Sequence, residues 1–126
     1  MSTKEEKVML TKEEILKVSD LQTREINIPE WGGSIVMKTM TGEERDTWEN
    51  RIPIRSSDKK VDIKEMKVRL LILCIRDPKD MTFMFTEKDV VSLNSKNSSV
   101  IDRLWQVASE MNGIGGKELE EIRKNS

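Results

Sequence analysis

Six consecutive apolar residues, Leu70-Leu71-Ile72-Leu73-Cys74-Ile75, stand in a chain that is only 36% apolar and another 36% charged. A run with no polar side has no face to give to water, so it must lie at the centre of whatever the chain builds. With 126 residues there is room for one core around it. Upstream, Ile63, Met66 and Leu70 share a helical face, and Asp62 with Glu65 at the third position forms a cap, so the spacing predicts a helix from Asp62 to about Ile75. A strand is the alternative for its last six residues.

Toward the N-terminus, Met1 to Lys7 carry no periodic pattern, and residues 1–9 are expected to be disordered. Thr11 and Glu14 have capping-box spacing ahead of Ile15, Leu16 and Val18, which predicts a short helix ended by Ser19-Asp20. So short a helix cannot stand alone, so it is expected to dock. The period then changes to two: Ile26 and Ile28 alternate with Glu25 and Asn27, and Ile35-Val36-Met37 follow Pro29-Glu30-Trp31-Gly32-Gly33, which reads as a β-hairpin. Thr41-Gly42-Glu43-Glu44 is a second capping box, opening a helix through Arg45 and Trp48 that Pro53 closes.

Residues Arg55 to Lys60 are all polar and read as a loop before the central helix. After Asp77-Pro78 breaks that helix, Met81 to Phe85 extend, and Thr86 with Asp89 starts a short helix carrying Val90, Val91 and Leu93. Asn94 to Asn97 make a loop. Ser98 or Ser99 then caps the last strong helix, where Ile101, Leu104, Trp105, Ala108 and Met111 recur at helical spacing and Gly113 supplies the stop. The fold class is therefore α+β, mostly α: a small helical domain with one N-terminal β-hairpin. Residues 10–113 form a single domain, followed by a weakly packed C-terminal segment, 114–126, with only Leu119 and Ile122 to bury beyond Lys117. No internal repeat is present.

Several kinds of chemistry lack their residues. The chain has no His, and its one cysteine, Cys74, has no imidazole to activate it and reads as a small buried hydrophobe suited to a reducing cytoplasm. Carboxylate groups at Glu43, Glu44, Asp46 and Glu49, and at Glu118, Glu120 and Glu121, lie on helices that need a solvated face. Gly113-Ile114-Gly115-Gly116-Lys117 lacks the strand and spacing of a phosphate loop and reads as a linker. No metal-ligand spacing, no leader-like apolar segment and no run long enough to cross a bilayer is present, so no enzyme activity, cofactor or membrane role is expected.

Electrostatics are uneven. The chain has net charge −1, yet from Arg51 to Arg76 eight Lys or Arg face three carboxylates, a net of +5. Such a segment suits an acidic partner or nucleic acid, but no aromatic residue is interleaved and Met66 to Ile75 must pack inward, so a solvated helix face plus loop is favoured and nucleic acid is not expected. Trp31 in the hairpin turn is either a binding anchor or a lid folded over the hairpin. Eight methionines supply adaptable apolar surface, whether as core filling, the commoner use, or as a partner surface.

The order of features resembles a known family. Ile15-Leu16 and Asp20-Leu21, then Ile28-Pro29-Glu30-Trp31-Gly32-Gly33, then Met40-Thr41-Gly42-Glu43-Glu44-Arg45-Asp46 are similar to the tail assembly chaperones of long-tailed phages of Gram-positive bacteria. Arg76-Asp77 before Phe83-Met84-Phe85-Thr86-Glu87-Lys88-Asp89-Val90, and Ile101-Asp102-Arg103-Leu104-Trp105-Gln106-Val107-Ala108 leading to Asn112-Gly113, extend the likeness over roughly Leu10 to Gly113. The Pro-Glu-Trp-Gly-Gly piece is the most specific; residues Pro53 to Lys60 match nothing.

The resemblance implies a non-catalytic protein of the host cytoplasm, absent from the mature virion, that keeps the tape measure protein soluble and helps recruit tail tube protein. It leaves self-association open. Candidate partner-binding residues are Trp31, Met37, Met40 and Trp48. It also implies a translational frameshift near the C-terminus, for which Arg123-Lys124-Asn125 permits the codon run A AAA AAC. A minor structural or head–tail joining protein of the virion is the alternative, and a small nucleic-acid-binding regulator a third.

Overall fold

The computed structural model describes residues 8–52 and 63–115. In chain order these form α1 (Lys12–Lys17), β1 (Thr23–Ile28), a 3-10 turn (Pro29–Trp31), β2 (Gly33–Lys38), α2 (Gly42–Asn50), α3 (Ile63–Cys74), β3 (Ile75–Arg76), a second 3-10 turn (Glu87–Asp89), α4 (Val90–Asn94) and α5 (Ser98–Met111). The architecture is α+β and mostly α. Expectations placed on Met1 to Lys7, on Pro53 to Asp62 with its Asp62 cap, and on residues 116–126 lie outside the described residues.

The hairpin forms where the period of two predicted it. β1 and β2 pair antiparallel with Ile26 opposite Ile35 and Ile28 opposite Gly33. Alternation sends Ile26, Ile28, Ile35 and Met37 to one face, and that face packs on the helices, with Ile28 and Met37 fully buried. The reversal is made by Gly32, whose φ of +75° closes the 3-10 turn and is a conformation that costs most other residues about 1–2 kcal/mol.

Helix α3 is the centre. Met66, Val68, Leu70, Leu71, Ile72 and Cys74 are buried and Leu73 is partly so, which is the all-round burial the apolar run demands. It packs against α2, α4 and α5. The helix ends one residue sooner than the spacing predicts: Ile75 and Arg76 are strand, pairing with Met37 and Val36 of β2. Asp77 precedes Pro78 and is biased to extended backbone, and the open edge of β2 offers the partner. A sheet of order β1-β2-β3 results, and an isolated bridge from Arg76 to Phe83 continues it outward.

Helix ends follow their chemistry with one correction. Thr11 with Glu14 and Thr41 with Glu44 are complete capping boxes, and Thr86 with Asp89 is a third. The cap of α5 is Asn97, whose side chain accepts from the Ser99 N–H, in place of Ser98 or Ser99. At the far end Gly113 (φ +65°) and Ile114 complete a Schellman motif, the Ile114 N–H reaching the Ser109 carbonyl at 2.8 Å. Ile114 is buried. Between them Val100, Ile101, Leu104 and Ala108 are fully buried, each large side chain contributing about 1.5–3 kcal/mol.

The expected docking of α1 does not occur. Every residue from Val8 to Asp20 is exposed, Ile15 by 55% and Leu16 by 74%. Only its capping box holds the helix locally, and the chain regains the fold at Gln22, whose backbone bonds with Thr39 beyond the end of β2.

Candidate partner-binding surface

The four residues singled out in the sequence separate into two groups. Met37, Met40 and Trp48 are buried and belong to the core, so in this fold they have no surface to present, a correction to their reading as partner contacts. The reason is their neighbourhood. Met37 sits on the inner face of the central strand, flanked by Arg24 and Ile75. The Trp48 indole N–H donates to the Met66 carbonyl at 3.0 Å, and its ring lies 6.1 Å from that of Trp105 at a tilted angle of 50°.

Met40 is fixed by its backbone: its N–H donates to the Asn112 side-chain oxygen at 2.8 Å. The Asn112 side-chain NH2 donates to the Ala108 carbonyl and toward the Cys74 sulfur, while Arg45 donates to the Asn112 carbonyl. One residue thereby joins the exit of the hairpin, the end of α3 and the end of α5. Burial pushes the Cys74 thiol up to about 12, against the weaker opposing pull of the Asn112 hydrogen bond.

Trp31 is different: 37% of its surface is exposed and the rest walls a cleft. Phe85 and Leu93 supply the rest of its apolar lining, Asp89, Ser92 and Lys96 its polar lining, and the volume is about 420 Å³, within the roughly 300–1,000 Å³ range of ligand pockets. Phe85 also lines a second hollow of about 260 Å³ with Ile72, Leu73 and Phe83, so the apolar surface continues from one to the other. The Trp31 ring is thus partly covered and partly exposed.

Ion pairs hold the walls. Glu30, beside Trp31, accepts from Arg103 of α5 at 2.7 Å, and this hydrogen bond holds the Glu30 carboxyl below its ordinary range. The Phe83 ring lies 4.0 Å from the guanidinium carbon of Arg76. Arg76 is buried, and it donates to the Met81 carbonyl and to Glu44 at 3.0 Å each. Met81 takes φ +63°, unusual for a side-chain-bearing residue, in the loop whose ends meet where the Asp77 N–H reaches the Thr82 carbonyl. Phe83, Phe85 and Leu93 were not singled out in the sequence. A Phe-x-Phe pair flanking Met84 ahead of a capping box was the signal available, but which of its faces stays open depends on α3 and on the turn.

Four cations of the basic segment pair with carboxylates, most of them from outside the segment. Arg51 and Arg69 both pair with Glu87, Arg69 also with Glu65, Lys67 with Asp102 and Arg76 with Glu44. Among the described residues no group of three His, Cys, Asp or Glu lies close enough to hold a metal ion, and no helix is long and apolar enough to cross a membrane.

Comparison with known proteins adds the family. No curated protein sequence matches. Among solved structures, the tail assembly chaperone of bacteriophage HK97 has the same fold, with a TM-score of 0.55 over 72% of this chain and 85% of that one at 21% identity. Residues 12–125 match the phage tail assembly chaperone family, which takes in the hairpin, the Trp31 turn and all of the helices α1 to α5. The chain belongs to the phage tail assembly chaperone family.

Proposed function

We propose that this protein keeps the tape measure protein of its phage soluble in the host cytoplasm and helps bring tail tube protein to it, by non-catalytic binding and without remaining in the finished tail. The observation that carries the reading is the open apolar surface running from Trp31 through Phe85 to Phe83 and Leu73 on a chain of this family. A long helical client exposes apolar stripes at helical spacing, and a shallow groove with aromatic walls takes such a stripe by shape and area, without chemistry. Trp31 and the two phenylalanines provide large rings at small cost in conformational freedom.

Coexpression with the tape measure protein tests it. The client is expected to be soluble and to copurify with this chain, and to precipitate without it or with Trp31→Ala. A client equally insoluble with and without the chain would overturn the reading. So would the chain's presence at fixed stoichiometry in purified virions, the mark of a structural component. For the translational frameshift that the resemblance implies near the C-terminus, which would add a downstream extension to a fraction of the chains, the gene must carry codons at Arg123 to Asn125 that allow a one-nucleotide slip and an open overlapping frame; their absence removes it.

A further inference from the structure

Phe85 lines both hollows of the open apolar surface; Trp31 and Leu93 line the first with it, Ile72, Leu73 and Phe83 the second. Two hollows that share one ring accept bulky side chains projecting from a single face of a helix. Shape of this kind takes any apolar stripe. The charges around it are more selective.

Every charged group that lines the two hollows has a partner in the fold, Lys96 excepted. Arg51 and Glu87 pair with each other, and Glu87 also with Arg69. The Asp89 carboxylate accepts from the Thr86 N–H at 2.8 Å in the capping box. Beside Trp31, Glu30 is joined to Arg103. The Lys96 ammonium has no carboxylate partner among the described residues. Asp89, Leu93 and Lys96 recur at helical spacing along α4 and its flanks, which puts Lys96 on the side of the cleft that Leu93 walls.

We infer, on the reading of this surface as the client site, that it selects among apolar helices those carrying a carboxylate beside the aliphatic stripe, the carboxylate meeting Lys96. Burial of the stripe is non-directional and supplies affinity. The rim cation supplies discrimination: a glutamate or aspartate in that place is attracted, and a lysine or arginine meets like charge. An exposed pair of this kind is screened by salt while the apolar contact is not, so the preference is greatest at low ionic strength.

Fluorescence anisotropy with the full-length chain and labelled synthetic peptides reads the preference. The probes are alanine-based helices of about 20 residues, long enough to hold a helix in water. One carries leucines at i, i+3 and i+7 with glutamates beside them; in a second, lysines replace the glutamates; in a third, alanines replace the leucines. The first is expected to bind about fivefold more tightly than the second at low salt, with the gap closing as salt is added, and the third not to bind. Lys96→Glu, at an exposed position, is expected to invert the order of the first two. Loss of the fold would abolish both and could not invert them. Equal binding of the first two peptides at low salt overturns the inference, as does a Lys96→Glu chain that keeps the original order or a failure of any peptide to bind. Coexpression with the tape measure protein separates this result from the reading beneath it. Capture of that client by a chain that does not discriminate the peptides overturns the charge preference alone. Discrimination of the peptides without capture upholds the preference and removes the tape measure protein as client.

Discussion

Replacing Arg76 by Met removes the charge at one of the most enclosed joints in the molecule. The guanidinium links β3 to the cap of α2 through Glu44, to the turn through the Met81 carbonyl, and to the Phe83 ring. Only 8% of the Arg76 side chain and 20% of that of Glu44 are exposed. Breaking a buried pair by deleting one partner costs about 3–5 kcal/mol, because the remaining charge stays desolvated. Glu44 keeps one partner, the Thr41 N–H at 3.0 Å, and its fifth of exposed surface admits water, so the expectation is the low end, about 3 kcal/mol. Against the roughly 5–15 kcal/mol of a whole domain this is a large loss.

Urea denaturation followed by far-ultraviolet circular dichroism measures it as a lower midpoint at unchanged slope. Arg76→Lys is expected to fall between, since one ammonium cannot span both oxygens in the guanidinium's fork. Adding Glu44→Gln to Arg76→Met is expected to cost less than the sum of the two changes, because the second removes the stranded charge. A loss of under about 1 kcal/mol for Arg76→Met would refute the reasoning, showing the pair to be solvated as surface pairs are.

Trp31→Ala is expected to cost little stability, about 1 kcal/mol, and to abolish client capture; equal loss of both in pull-down and melting would return Trp31 to a purely structural role. Trp48→Ala is expected to cost about 3–5 kcal/mol, through the lost ring and the indole hydrogen bond to Met66, and a near-neutral change in urea midpoint would contradict its placement. The folded Cys74 thiol is raised to about 12 from 9.0, so its contribution is intact below pH 9 and is lost as pH climbs toward 12. Native Cys74 should accordingly resist a thiol reagent at neutral pH, whereas labelling as fast as in denaturant disproves its burial. Gly113→Ala puts a side chain at φ +65° with no steric neighbour within 4 Å, a purely conformational cost of about 1–2 kcal/mol, readable as a shift in melting temperature.

Local rules held at most places where the relevant partners lie within a few residues, the cap of α5 at Asn97 being the exception. The three capping boxes, the Gly113 stop and the hairpin with its glycine turn were legible because each is closed by atoms three to five residues apart, or by an alternation running along a single segment. The central helix was legible for a related reason: a run with no polar side admits only burial. Family membership also lay within reach, through the order of these pieces.

Partners distant in sequence set everything else. Ile75 and Arg76 became strand because the edge of β2, nearly forty residues upstream, was free to pair. Met37, Met40 and Trp48 carry nothing in their own segments to tell a core residue from a contact residue; the sheet face, Asn112 and Met66 decide it. Trp31 stays half open because Glu30 is drawn to Arg103, 73 positions away, while Phe85 and α4 leave a gap beside the ring. The α1 segment was expected to dock, since so short a helix does not stand alone, but among the described residues no groove covers it. Amphipathic patterning determines that a face must be covered; only the three-dimensional placement of the other elements decides whether the same chain supplies the cover.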